Sequence, residues 1–74
     1  MPYIQIKAYP KDEEIKKKVA QRIKDVFLEE WGCKAEAISI SFEAIDPSDW
    51  DKVVVKPLIE PNKDKMYVLN GENK

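Results

Sequence analysis

The chain has no histidine and a single cysteine, Cys33. One thiol cannot close an intrachain disulfide, and a zinc site lacks its ordinary nitrogen and sulfur ligands. A reducing, cytoplasmic compartment is the natural setting for such a chain. No apolar run approaches the roughly 20 residues that span a bilayer, and the start lacks a basic region followed by a hydrophobic stretch. Neither a membrane span nor a secretory signal is therefore expected. Charge of one sign is also missing: 13 basic residues face 14 acidic ones, for a net charge of −1. Without a basic excess to hold phosphates, nucleic acid is not an expected partner.

What is present is a short chain rich in charge, with 36% of its 74 residues Asp, Glu, Lys or Arg. This length makes one small domain, 1–74, with no internal repeat and no linker. A chain of this size buries only about 60% of its extended-chain surface and is marginal alone. Small domains usually make up the deficit with disulfides, a metal or self-association. The composition leaves the third.

Tyr3 to Tyr9 alternates, with Ile4, Ile6 and Ala8 on one face and Gln5 and Lys7 on the other, as a half-buried strand does. Pro10 ends it, since proline cannot donate to a sheet ladder. Asp12 is a good helix N-cap, and Glu13 and Glu14 follow on the positive end of the dipole. Ile15, Val19, Ile23, Val26, Phe27 and Trp31 recur at helical spacing among polar residues, and Gly32 is placed to end the helix in the left-handed conformation. The lysines of this segment are accounted for by a solvated helix back. Ala37 to Ala44 alternates again, with Ile38, Ile40, Phe42 and Ala44 on one face, and predicts a second strand. A strand, a helix and a strand in this order imply a β-α-β unit with parallel strands and a right-handed crossover. The fold class is α+β. Two strands leave sheet edges unpaired, so a partner chain is expected to extend the sheet.

Asp46-Pro47-Ser48-Asp49-Trp50 reads as a helix start, with Asp46 capping and Pro47 at the first helical position. The prolines at 57 and 61 predict short helical turns or extended chain beyond it rather than one long element. Met66 to Leu69 is an apolar segment, and Asn70 to Lys74 is expected to be a loose end.

The residue that organises any chemistry is Pro2. If Met1 is removed, Pro2 becomes the amino terminus, a rigid secondary amine with a free lone pair and hence a candidate general base. While Met1 remains, the same nitrogen is an amide and can carry no proton.

Met1-Pro2-Tyr3-Ile4-Gln5-Ile6-Lys7, the capped helix, Ile38-Ser39-Ile40-Ser41-Phe42 and Asp46-Pro47-Ser48-Asp49-Trp50 together resemble the 4-oxalocrotonate tautomerase family across nearly the whole chain. The tail after Trp50 resembles the longer members that form dimers. The resemblance implies a cofactor-free isomerase that interconverts enol and keto forms of a small 2-oxo acid. Pro2 would carry the proton between the enol oxygen and a substrate carbon. An ordinary terminal amine titrates near 7.7–8.0 and a secondary amine tends higher, so such a site must favour the uncharged form by burial or nearby cations. Trp50 falls where the family has an aromatic wall, although a packed core or interface tryptophan would have the same residue type.

The family holds the substrate carboxylate with arginines, and here the chain departs from it. The two positions are occupied by Lys11, which keeps the charge but loses the bidentate fork, and by Ser39, which keeps only a hydroxyl. Both are candidate substrate contacts, and a monocarboxylate such as an arylpyruvate enol is the substrate expected. Lys11 lies nine positions beyond Pro2, roughly 25–30 Å if extended. Lys11 is thus expected to serve a partner's proline across a homodimer, in an intersubunit site. A solvated turn lysine accounts for Lys11 as well.

Other candidates carry less. Cys33 has no histidine to activate it and follows a helix C-terminus, whose dipole disfavours thiolate. Arg22, the single arginine, belongs to the polar helix back. Glu43 and Asp46 are candidates for a proton-handling pair, or simply an exposed strand residue and a cap. The alternative to an enzyme is a non-catalytic homo-oligomeric module that binds a small acid or a protein on the same fold.

Overall fold

The computed structural model describes residues 2–74; Met1, on whose removal the Pro2 chemistry depends, lies outside them. A first compact unit ends at Ala44 and a second spans Ile45–Lys74.

The first unit is the expected β-α-β. Strand β1 (Tyr3–Ala8) pairs in parallel with β2 (Ser39–Ala44), from Tyr3 opposite Ser39 to Ala8 opposite Ala44. Helix α1 (Glu13–Trp31) connects them. The Asp12 carboxylate accepts the Ile15 N–H at 2.9 Å from an extended backbone, and Gly32 adopts φ 65° at the other end. Both ends are therefore set by the two residues whose chemistry suits them. The inward strand positions Ile6, Ala8, Phe42 and Ala44 share a cavity with Ile15 and Val19, which fixes the sheet face that α1 covers. The opposite face carries Tyr3, Gln5, Lys7, Ser39, Ser41 and Glu43. It is tied together by a Lys7–Glu43 ion pair at 2.6 Å and a Tyr3–Ser41 hydroxyl contact at 3.4 Å.

The second strand starts two residues later than its alternation suggests. Ala35–Ala37 winds into a 3₁₀ turn, in which the Ile38 N–H donates to the Ala35 carbonyl at 3.1 Å. Alanine has no β-branch to hold it extended, so the turn wins at those positions and the ladder begins at Ser39.

In the second unit the helix start expected at Asp46 is present, and beyond it, where short helical turns or extended chain were expected rather than one long element, the winding runs on without a break to residue 65. A 3₁₀ turn at Pro47–Asp49 leads into π-helical winding over Asp51–Ile59 and a 3₁₀ stretch at Glu60–Lys65. Pro47 and Pro61 each lie in a first turn, where no backbone N–H is required. Pro57 alone is interior, and the wide winding, seen in the Glu60 N–H donating to the Val55 carbonyl, gives up one bond there without stopping the helix.

The expected loose end is also a folded element. Strands β3 (Val68–Leu69) and β4 (Glu72–Asn73) form an antiparallel hairpin across Asn70 (φ 51°) and Gly71 (φ 83°). Positive φ at both central residues is the hairpin conformation that Asn-Gly favours. The Lys74 N–H closes the ladder on the Tyr67 carbonyl at 2.8 Å.

Little of this is sealed from solvent. Among the described residues only Ile45 and Val54 count as buried apolar side chains, while Ile15, Val26 and Trp31 of α1 are 47%, 54% and 63% exposed. No described helix is long and apolar enough to cross a membrane.

Candidate active site

Pro2 stands directly before β1, half-buried, and its carbonyl accepts the Ser39 N–H at 3.1 Å. The parallel ladder thereby brings Pro2 and Ser39, far apart in sequence, to the same end of the sheet. Their side chains need not share a face. Ser39 lies opposite Tyr3 on the polar side, whereas the alternation that runs through Ile4 and Ile6 assigns Pro2 to the side of α1.

Lys11 is at the other end of β1. Six strand residues separate the two ends, about 20 Å at the usual rise. The first unit therefore does not bring Lys11 to its own Pro2. What Lys11 does border is a groove of about 270 Å³ between the first turns of α1 and the C-terminal halves of both strands. Ile6, Ala8, Phe42 and Ala44 form its floor, Ile15 and Val19 its helical wall, and Tyr9, Lys11, Lys16 and Glu43 complete its lining. The charges around it are unevenly matched. Lys16 reaches Glu13 at 3.0 Å and Glu43 is held by Lys7, while Lys11 has no ion pair among the described residues.

From their spacing Ile15 and Val19 read as the apolar face of α1 and Phe42 as that of β2, and nothing in that spacing marks them as groove residues. The available signal was their position: each lies toward the end of its element that the groove occupies, where covering side chains run out.

Trp50 belongs to the second unit. It is half-buried and closes the turn at Pro47–Asp49, donating its backbone N–H to the Pro47 carbonyl. The Asp46 carboxylate that caps this turn accepts both the Ser48 N–H at 2.9 Å and the Ser48 hydroxyl at 2.7 Å. Those bonds, the backbone one foremost, hold its pKa below the ordinary aspartate value. Asp46 and Glu43 are thus each engaged by a local partner, as a cap and a strand ion pair require. Cys33 is half-buried, with its thiol 3.7 Å from the Phe27 carbonyl, and Arg22 is exposed. Among the described residues no group of three or more acidic, cysteine or histidine side chains could hold a metal ion.

No family profile matches the chain. Individual proteins do. It is 34% identical over 73 residues to the protein named Tautomerase PptA of Pectobacterium atrosepticum, with 96% of each chain covered. The Tautomerase PptA of Pectobacterium carotovorum subsp. carotovorum is 32% identical over the same length and coverage. That of Shigella sonnei is 36% identical, again over 73 residues and 96% of each chain.

Proposed function

The chain belongs to the tautomerase family, and from that premise we propose that it interconverts the enol and keto forms of a small 2-oxo acid, with Pro2 as general acid and base once Met1 is gone. The observation that carries the reading is Pro2 at the open head of β1, half-buried and adjoining the first residue of β2. A neutral secondary amine there can take the enol proton and return it to carbon, and each role asks only that the nitrogen change charge once per turnover. Positioned proton transfer of this kind contributes about 10²–10⁴-fold.

The carboxylate contact is Lys11 of a second copy. If β1 pairs antiparallel with β1 of a partner about Gln5, Pro2 of one chain falls opposite Ala8 of the other, on the α1 side of both. Lys11 of that other chain then lies within a few residues of the catalytic nitrogen, which its own β1 keeps it from reaching. A single lysine, unlike a pair of arginine forks, suits a monocarboxylate such as an arylpyruvate enol. Trp50 is assigned to the apolar wall by its position in the sequence; Ser39, whose side chain the register puts on the polar face away from Pro2, would reach the substrate as a polar contact only around the end of the sheet. The homodimer also gives a partner to a sheet edge that is otherwise open.

The test is ketonisation of phenylenolpyruvate by protein whose intact mass lacks one methionine. Pro2→Ala is expected to lower kcat by about 10²-fold or more with the helical content kept. Full turnover by the alanine variant, or by protein retaining Met1, would remove the proline from the mechanism.

A further inference from the structure

Proton transfer at Pro2 leaves the groove beside Lys11 without a task. We infer that this groove holds the apolar tail of the substrate, with Ile15, Val19 and Phe42 as its specificity-determining residues; the identity of the substrate rests on the tautomerase reading. Ile15 and Val19 are 47% and 38% exposed although they line the inward side of α1, so their apolar surface is open for a ligand to cover. The charge inventory selects which ligand. Lys16 and Glu43 are neutralised by Glu13 and Lys7, leaving Lys11 as the lone unmatched charge of the lining among the described residues. One cation at the rim of an apolar trough fits one carboxylate joined to an apolar body, and a second carboxylate would have to lie against hydrocarbon. Size sets the limit. The groove's 270 Å³ is roughly nine times the 30 Å³ share of a liquid water molecule, enough for one ring and its methylene.

The experiment separates the groove from the catalysis. Calorimetric titration with 3-phenylpropanoate, which has one ring and one carboxylate but no enol, reads binding alone. The ratio of kcat/KM for phenylenolpyruvate to that for the enol of 2-oxobutanoate reads tail selection during turnover. Val19→Trp and Ala44→Leu should fill the groove, and each, checked for helical content, is expected to weaken 3-phenylpropanoate binding and to lower the ratio by about tenfold. Val19→Ala, a milder change, is expected to raise the relative turnover of a naphthyl enol. Folded variants that keep the parent's affinity and ratio would overturn the inference. So would failure of the parent to bind 3-phenylpropanoate, a result that would give the groove to a side chain of a second copy. Binding that is lost in Val19→Trp while the parent ketonises neither enol would sink the tautomerase reading and uphold the groove.

Discussion

Replacing Asp12 by alanine tests the link between the start of α1 and the groove proposed to take the acid. The Asp12 carboxylate takes the Ile15 N–H at 2.9 Å, one of the four donors that the first helical turn cannot satisfy internally. Its loss returns that donor to water, because the site is exposed, and N-cap truncations of this kind cost about 1 kcal/mol, within 0.5–2. The negative charge at the helix N-terminus adds roughly 0.3 kcal/mol, the low end for a solvated position. A total of about 1–1.5 kcal/mol should lower Tm by roughly 4–10 °C in a domain of this size. Asp12→Asn keeps the acceptor and drops the charge, so it should recover most of the loss. Thermal melts by far-ultraviolet circular dichroism would be compared at one protein concentration, since the proposed dimer would make Tm depend on it. There is a functional readout as well. Lys11 immediately precedes the cap and Ile15 and Lys16 lie in the first turns, so a frayed start should raise KM for acid substrates more than it lowers kcat. A Tm within a degree of the parent would refute the capping argument. Asparagine as damaging as alanine would show that charge, and not the hydrogen bond, sets the helix start.

Asp46 should contribute to acid stability: its folded pKa lies below the ordinary aspartate value because Ser48 donates to it twice, its backbone N–H foremost. That contribution is fully present above the unfolded pKa and is lost as pH falls through the lower folded one, so Asp46→Asn should flatten the acid limb of a stability profile, and an unaltered limb would discount the cap. Gly71→Ala should open the C-terminal hairpin by about 1 kcal/mol, because φ 83° is strained for any side chain although nothing lies within 4 Å to clash. Faster exchange of the Lys74 amide would register it, and unchanged exchange would count against the turn. Breaking the Lys7–Glu43 pair by Lys7→Met should cost less than about 1 kcal/mol and less still at high salt, since its members are 25% and 48% exposed. A loss above 2 kcal/mol would mean the pair does more than tie two strands.

The first unit was legible because its signals are local and agree with one another. Alternation in Tyr3 to Ala8, an acidic cap at Asp12, helical spacing from Ile15 to Trp31 and a terminal Gly32 each specify one element, and no competing reading satisfies all four. The second unit was harder, for two different physical reasons. Pro57 is a strong breaker of α-helices, but its effect depends on the winding around it, and wide turns that tolerate it leave no mark in the sequence. Asn70-Gly71 did leave a mark, since it is the dipeptide that two-residue hairpins favour; the polar residues around it, Glu72, Asn73 and Lys74, gave no apolar alternation to accompany it. The candidate site divides along the same line. Pro2 and Ser39 come together because strand pairing is readable. The groove was not, because a cavity is set by where side chains stop, and periodicity reports only which way they face.

Three features of the first unit call for a common explanation. Among the described residues both strands of the sheet keep an unpaired edge, and apolar residues of α1 such as Val26 and Trp31 remain more than half exposed. The one charge without a partner, among the described residues lining the groove, sits a strand's length from the residue it would assist. Taken singly each has an ordinary account: short edges are tolerated, surface hydrophobes are common, and exposed lysines are usually solvated. Together they differ in what they require. Solvation satisfies Lys11 but does nothing for an open ladder or for apolar surface left in water. A second copy added along β1 in antiparallel sense satisfies the ladder on that edge. By the same rotation it carries the partner's Pro2 towards Lys11 and the groove, since an isologous pairing must place equivalent ends at opposite sides of the axis. The separation of Pro2 from Lys11 is then a consequence of strand length and two-fold symmetry, and a site built this way is complete only when the chain is paired.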